Sequence, residues 1–345
     1  MERVSGFWLS PSYKCNNRCR WCYAWKELLL SKEAKLEDLK VFIDKMVEAG
    51  AKTCVLVGGE PSVYPYIMEL IAYATCKGLS VRMMSNGRKL SSYNFVLKLK
   101  EAGLEYCSIS IEGPEEIHDS TTRIPGSFNQ ALQAIKNCQE VGIPVNSITT
   151  VSTLNINHLD DLLLVLKSIN TRRAVFNMCS SQPDSDEGED KVIISFEDYA
   201  RVVERIGMAY DFVCFYALIP LCIYNQDIWP ELVKLNRLKI ACSLLSDSVS
   251  IDPDGFLLPC NHMPNLNYGN INDEGAIESL LKQKKEEKKF LSTHAPSAKC
   301  VDCTLWNKCH GGCNLIWFTR NAQECIPGIE LKKKKGVKNE NCYFK

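Results

Sequence analysis

The chain has 345 residues, 46% hydrophobic and 24% charged, the proportions of a folded globular protein with room for one large domain or two. Lys plus Arg and Asp plus Glu balance at 41 each, so no bulk charge draws the chain to nucleic acid or to a lipid surface. No apolar run reaches the roughly 18 residues of a spanning helix, and MERVSGFWLSPSYKC lacks a signal-peptide pattern, so a cytoplasmic location is expected.

The first two-thirds alternates β-rich apolar runs with helical ones. Strands are expected at Phe7–Ser10, Cys54–Val57, Ser80–Met84, Tyr106–Ile111, Val145–Val151 and Ala174–Met178. Helices are expected at Leu36–Ala49, Tyr64–Lys77, Ser91–Ala102, Ser127–Val141, Leu159–Ser168 and Phe196–Met208. This alternation argues for parallel βαβ units, too few for a full eight-unit barrel. Ligand chemistry then belongs at the C-terminal ends of the strands. The pattern breaks after about residue 215, and from Cys242 the chain reads as loop-rich, with a core too small to fold without metal. A boundary is expected between residues 216 and 217. Two charge runs, Asp184–Asp190 and Lys332–Lys335, read as solvated loop, the lysines alternatively as a dock for an acidic peptide.

Eighteen cysteines are many for a reducing compartment, yet fewer than the roughly 8% of a small disulfide scaffold. Clustered cysteines without a secretory signal point to metal. Right after the first strand, CNNRCRWCY places Cys15, Cys19 and Cys22 at Cys-x3-Cys-x2-Cys spacing. Three thiolates on one loop can hold three irons of a cubane and leave the fourth open for chemistry. Zinc is the rival ion, but three cysteines alone leave it short of a closed site. The second strand ends in Gly58-Gly59-Glu60-Pro61. Two glycines allow close backbone approach to a ligand, and the glutamate can accept from a ligand amine.

A second constellation runs Cys242-x12-Gly255-x4-Cys260, then Cys300-x2-Cys303-x5-Cys309-x3-Cys313, and ends with Cys342. Taken alone, such pairs also suit zinc ribbons. The cysteines at 54, 76, 107, 138, 179 and 214 read as buried apolar filler. His262 and His310 adjoin motif cysteines and read as hydrogen-bond partners or surface residues.

CNNRCRWC followed by GGEP resembles the radical S-adenosylmethionine (radical SAM) superfamily, over roughly residues 7–210. The resemblance implies a partial (β/α)6 TIM-like barrel and a [4Fe–4S] cluster whose open iron binds SAM. It also implies reductive cleavage of SAM to a 5′-deoxyadenosyl radical. On this resemblance, Tyr23 lies by the adenine and Gly58, Gly59 and Glu60 meet the methionine moiety. Asn86, Ser110 and Thr150 offer further SAM contacts, and Arg123 pairs with its carboxylate.

The cysteine order over about residues 217–345 resembles the SPASM extension, a small loop-rich domain stabilised by two auxiliary [4Fe–4S] clusters. Carried over, Cys242, Cys260 and Cys313 ligate the first, with Cys222 a candidate fourth. Cys300, Cys303, Cys309 and Cys342 ligate the second, with Cys325 an alternative to Cys342. Domains 1–216 and 217–345 are therefore expected, with SAM and three [4Fe–4S] clusters as cofactors.

The implied activity is maturation of a ribosomally made peptide by a thioether or carbon–carbon crosslink. Alternatives are sulfatase-type oxidation of Cys or Ser to formylglycine, and epimerisation. An iron–sulfur electron carrier or zinc-stapled scaffold is the alternative of another class. Asp119, Glu112 and Asp211 are open candidates for a general base. A flavodoxin or ferredoxin reductant is expected, as is oxygen sensitivity. The stretch before Cys15 is too short for a peptide-recognition domain, so a separate recognition protein or a leaderless substrate is expected.

Overall fold

The structure is a computed structural model that describes residues 3–179, 192–240, 246–263, 266–293, 300, 302–313 and 332–333. In chain order, the first part runs β1 (Gly6–Leu9), α1 (Trp25–Leu30), α2 (Leu36–Glu48), β2 (Thr53–Leu56), α3 (Ile67–Cys76), β3 (Ser80–Ser85), α4 (Tyr93–Glu101) and β4 (Leu104–Ser110). It continues α5 (Glu115–Thr122), α6 (Ser127–Val141), β5 (Val145–Val151), α7 (Leu159–Ser168), β6 (Ala174–Met178), α8 (Phe196–Ala209) and β7 (Val213–Tyr216). The rest comprises α9 (Trp229–Lys234), β8 (Leu238–Lys239), β9 (Ser248–Ile251), β10 (Leu257–Leu258), β11 (Leu266–Asn267), α10 (Ala276–Thr293), α11 (Trp306–Cys309) and β12 (Lys332–Lys333).

The helices form because their apolar residues recur at helical spacing. In α2, Leu39, Phe42, Ile43 and Met46 make one buried stripe. In α8 the stripe is Tyr199, Val202, Val203 and Ile206, and the Ser195 hydroxyl caps the helix by accepting from the Asp198 amide at 2.9 Å. Gly142 ends α6 at φ +76°, a conformation that favours glycine.

Ten strands form one sheet in the order β10-β9-β1-β2-β3-β4-β5-β6-β7-β8. Every pairing is parallel except β10 with β9. The sheet is open. Its strands β1 to β6 carry the expected α/β alternation, and their C-terminal ends share one edge.

The sheet crosses the expected boundary at residue 216. β8 pairs with β7 on one side (Phe215↔Leu238), and β9 pairs with β1 on the other (Gly6↔Ser248). The two regions therefore share a backbone ladder. The later part is also less loop-rich than expected, because α10 is an 18-residue helix. Its sequence, AIESLLKQKKEEKKFLST, carries eight charged residues, which obscure its short apolar stripe. Leu280 in that stripe is fully buried.

Among the motif-free cysteines, 54, 107, 138, 179 and 214 are buried as expected, but Cys76 is exposed. It ends α3 on the solvent side, its thiol donating to the Tyr73 carbonyl at 3.0 Å. Lys332 and Lys333 form β12 against β11, while Asp184–Asp190 lies outside the described residues. Among the described residues no helix is long and apolar enough to cross a membrane.

The core beneath β6 and β7 is closed by a stacked aromatic pair. Phe176 and Phe215 are fully buried, with centroids 4.7 Å apart and planes 17° apart. Phe215→Ala is expected to cost about 3–5 kcal/mol, read as a lowered thermal midpoint of metal-free protein. An unchanged midpoint would show that this pair does not anchor the sheet.

Candidate active site

The candidate site starts at the tip of β1. From Ser10 to Cys22 the chain crosses the strand ends without helix or strand, so its backbone must be held by neighbours. The loop after β2 supplies one set of partners: the Gly59 amide donates to the Ser12 carbonyl at 3.0 Å, and the Glu60 amide to the Lys14 carbonyl at 2.8 Å. The C-terminus of α5 supplies another. Its Thr122 and Thr121 carbonyls accept from the Arg18 and Arg20 amides at 3.0 and 2.9 Å.

A third support comes from the tip of β3. Asn86 Nδ2 donates to Asn16 Oδ1 at 2.7 Å and lies 4.0 Å from Cys15 Sγ. Arg88 donates through Nη1 to the Asn16 carbonyl, and through Nε to Gln130 Oε1 at 2.8 Å. Arg88 escaped the sequence reading; its position just after the Ser-Asn-Gly turn of β3 was the available signal.

The glycine pair has a use within the fold that the sequence did not show. Gly58 sits at φ +124°, and a Cβ there would stand 2.5 Å from the Ser12 carbonyl. At Gly59 a Cβ would stand 2.3 Å from the Lys14 carbonyl. What approaches these glycines closely is the cysteine loop itself. Glycine is required for the two loops to touch.

Glu60 is buried, 1% exposed. Its Oε1 accepts from the Ser62 amide at 3.1 Å and the Ser85 hydroxyl at 2.7 Å, and its Oε2 accepts from the Asn86 amide at 2.7 Å. A carboxylate has about four acceptor positions. Three are used internally, leaving room for one further donor such as a ligand ammonium. Burial pushes the Glu60 carboxyl up, and these donors oppose the shift.

Cys15, Cys19 and Cys22 are half-buried. Burial pushes Cys15 up to about 12, helped by the negative charge of Glu60, and Cys22 up to about 11. Cys19 is raised well above its usual range, first by burial and then by Cys22. The three thiols are thus close enough to oppose one another's ionisation. Among the described residues, no three His, Cys, Asp or Glu converge tightly enough for a single ion. Three thiolates on one loop can each bind one iron of a cubane, whereas a closed zinc site needs a fourth ligand, so the donor set fits an iron–sulfur cluster. The Asn17 amide already donates to Cys15 Sγ at 3.4 Å.

Other expected contacts gather on the same edge. Ser110 ends β4, half-buried. Arg123 caps α5 at φ +58°, exposed and one residue beyond the Thr122 carbonyl that holds the cysteine loop. The Thr150 amide is taken by Glu112 Oε2 at 2.9 Å. Tyr23 is placed against the C-terminal region: its hydroxyl accepts from Asn261 Nδ2 at 3.2 Å, and its ring meets His262 with centroids 4.2 Å apart. Trp21, missed from sequence, has a buried indole N–H with no hydrogen-bond partner among the described residues.

The three carboxylates considered as bases separate clearly. Asp119 accepts from the Phe128 amide at 2.8 Å and the Ser127 hydroxyl at 2.9 Å, and also from the Gly126 amide. It is committed to capping α6. Asp211 is exposed on the turn before β7, at the strands' opposite ends. Glu112 lies just beyond β4, is fully buried, and is pushed up to about 8 by burial.

Of the second cysteine set, Cys260, Cys300, Cys303, Cys309 and Cys313 are all half-buried. Cys242, Cys325 and Cys342 lie outside the described residues. His310 turns the chain at φ +45° and packs its ring against Trp306.

Comparison with known proteins places these features in context. Residues 9–166 match the radical SAM superfamily, and residues 242–304 match SPASM, an iron–sulfur cluster-binding domain. An AdoMet-dependent heme synthase of Oleidesulfovibrio alaskensis is 26% identical over 93% of this chain and 86% of its own. The antilisterial bacteriocin subtilosin biosynthesis protein AlbA of Bacillus subtilis is 24% identical over 90% of this chain and 67% of its own. The solved structure of native anSMEcpe with bound AdoMet and Cp18Cys peptide superposes with a TM-score of 0.71, at 17% identity, covering 95% and 93% of the two chains. The two matched domains imply SAM and [4Fe–4S] chemistry.

Two outcomes follow. Gly59→Ala is expected to abolish iron uptake at the first site, because both clashing neighbours are backbone, whereas Gly78→Ala, strained at φ +80° but with no atom within 4 Å, should retain it. Iron per chain after anaerobic reconstitution decides between them. Glu112 keeps its proton in the folded state where the unfolded chain has lost it. Its contribution to stability is therefore full below about pH 4.5 and declines until about pH 8. Glu112→Gln should flatten that decline in metal-free protein, and a slope that survives the substitution would exonerate Glu112.

Proposed function

This chain belongs to the radical SAM superfamily and carries a SPASM domain, and from that premise we propose that it matures a peptide by SAM-dependent hydrogen abstraction. When bound, the cluster and SAM supply one electron and a 5′-deoxyadenosyl radical that removes a hydrogen atom from a substrate carbon.

The chain's own residues do the holding and orienting. Cys15, Cys19 and Cys22 are the ligands of the SAM cluster in this proposal, and each gives up its proton on binding iron. The open acceptor position of Glu60 suits the SAM ammonium, and Asn86 braces the loop beside Cys15. Arg123 offers a guanidinium to the SAM carboxylate. The unpartnered Trp21 indole N–H is a donor for the bound cofactor.

One observation carries the peptide reading: the sheet stays open, so the shared strand-end edge is reachable from the side by an extended chain. The likeness to AlbA supports it. A thioether or carbon–carbon crosslink removes two hydrogens and two electrons from the peptide. The radical takes one hydrogen atom, the second electron needs an acceptor such as an auxiliary cluster, and the second proton leaves to a base or to solvent. Two such clusters, a flavodoxin- or ferredoxin-type reductant and a separate recognition protein belong to the same proposal.

A haem precursor is the second reading. It is favoured by the likeness to an AdoMet-dependent heme synthase along 93% of this chain.

The deciding experiment is anaerobic reconstitution with iron and zinc analysis, followed by a dithionite assay for 5′-deoxyadenosine. It compares the wild type with Cys15/Cys19/Cys22→Ala. About twelve irons per chain is expected, with nucleoside formation lost in the variant. Candidate peptides and a haem-precursor porphyrin are then added in parallel. A peptide that loses two hydrogens supports the first reading, and a porphyrin consumed instead supports the second. No iron and no nucleoside would leave a zinc-stapled scaffold.

A further inference from the structure

The strands of the sheet have two unlike faces. Along β3, buried Val81, Met83 and Ser85 alternate with exposed Arg82 and half-buried Met84. Along β4, Cys107 and Ile109 are buried, whereas Tyr106, Ser108 and Ser110 are half-buried. β6 repeats the pattern, with Val175 and Asn177 half-buried between buried neighbours. Successive side chains of a strand point to opposite faces, so one face packs into the core and the other is partly open to solvent.

Away from the strand tips, this open face carries cations. Arg82 pairs in register with Tyr106 on β4, and its guanidinium lies over that ring, 5.9 Å from the centroid. Ser108 pairs with Asn146 on β5. The Ser147 amide donates to the Arg173 carbonyl at 3.1 Å, which sets Arg173 beside Asn146 just before β6. Tyr216 pairs with Lys239. Burial pushes the Tyr106 and Tyr216 hydroxyls up; the charges of Arg172 and Arg82 oppose this at Tyr106, and that of Arg173 at Tyr216. Among the described residues, neither Arg82 nor Arg173 pairs with a carboxylate. Arg173 donates through Nη2 to the Asn236 carbonyl, one use of a group with five N–H donors. Glu105, next to Tyr106, accepts from the Ser80 hydroxyl at 2.5 Å. Asn146 is buried, and its Oδ1 has no hydrogen-bond partner among the described residues. A buried acceptor and two guanidiniums with donors to spare share one face.

We propose that this face is the floor of the substrate site, where Arg82 and Arg173 hold carboxylates carried by the substrate and Asn146 accepts from a neighbouring N–H. The proposal rests on the reading of the chain as an enzyme acting at the strand tips, and it names the class of molecule acted on. Arg82 lies three residues below the end of β3 at Ser85, roughly 10 Å by strand rise. Arg173 lies five residues below the end of β6 at Met178, roughly 17 Å. A substrate whose reactive carbon meets the tips must carry its carboxylates that far. A porphyrin with carboxylate side arms and an acidic peptide share this chemistry. Guanidiniums suit it because they meet a carboxylate with two parallel hydrogen bonds.

The test uses the full chain, reconstituted anaerobically with iron and sulfide. It is titrated with coproporphyrin III and its methyl ester, followed by absorbance, and with end-blocked tetraglutamate and tetraglutamine, followed by calorimetry. At least one of the two acids should bind about tenfold more tightly than its neutral counterpart, and which one does so identifies the source of the carboxylates. Arg82→Gln and Arg173→Gln should each weaken that acid about tenfold and leave the neutral counterpart unmoved. Arg82→Lys should recover part of the loss, because a point charge replaces a bidentate fork, and so separates lost charge from lost folding. If neither acid outbinds its neutral form, or if both Gln variants bind as the parent does, the site is overturned. A parent that forms no 5′-deoxyadenosine from SAM would sink the radical reading instead, and the titrations would still decide whether this face binds carboxylates.

Discussion

Glu60 is a carboxyl with almost no access to water, placed under a loop of three thiols. Such a group is costly to bury as an ion unless donors meet it. The donors come from two different strand tips: Ser62 from its own turn, Ser85 and Asn86 from the end of β3. Satisfying one carboxylate therefore fixes β2 to β3 at the edge where chemistry belongs. The Glu60 amide then reaches up to Lys14 and passes that rigidity to the cysteine loop. Gly58 and Gly59 allow the distance to close. The motif reads as ligand contact in the sequence, but here it is first a brace.

A second constraint is topological. β9 lies parallel to β1 in the register Gly6↔Ser248 to Leu9↔Ile251, so the C-terminal region begins as part of the sheet. The chain then turns back as β10 and leads into Cys260, Asn261 and His262. This is why Tyr23, one residue after Cys22, finds Asn261 and His262 as neighbours. A domain joined by a linker alone would be free to move relative to the cysteine loop. One joined by a ladder and by the tilted Tyr23–His262 ring contact holds its cysteines in fixed relation to that loop.

How much of this was legible follows from the physics of each feature. The six βαβ repeats were readable because helical and strand periodicities report local burial. Four elements, Ser127–Val141, Val145–Val151, Leu159–Ser168 and Ala174–Met178, fall on their expected bounds. The short α5 was missed because Glu115–Thr122 offers no long apolar stripe. Its value lies in two carbonyls that hold Arg18 and Arg20, which no pattern of side chains encodes. Arg88 was missed for the same reason, since its partners are an Asn16 carbonyl and Gln130. Cysteine spacing reveals donors on one loop. It does not reveal which distant loop folds against them. The turn at Leu221–Ile223 meets Cys309 through a backbone amide, invisible at the level of sequence.

The thiols themselves explain why the site tolerates standing preformed. Burial and mutual repulsion keep Cys15, Cys19 and Cys22 protonated near neutral pH. Three neutral thiols are cheap to desolvate, unlike three thiolates. The loop can therefore be held by its backbone without metal, and Glu60 beneath it has donors ready if it ionises. Iron reverses the balance, because it supplies the positive charge that makes thiolates favourable. A bound SAM would add a cationic ammonium where Glu60 has one acceptor position left. A carboxylate that is costly to bury in the free protein is thus one whose charge a ligand would offset. Its three internal donors hold it in place until that ligand arrives.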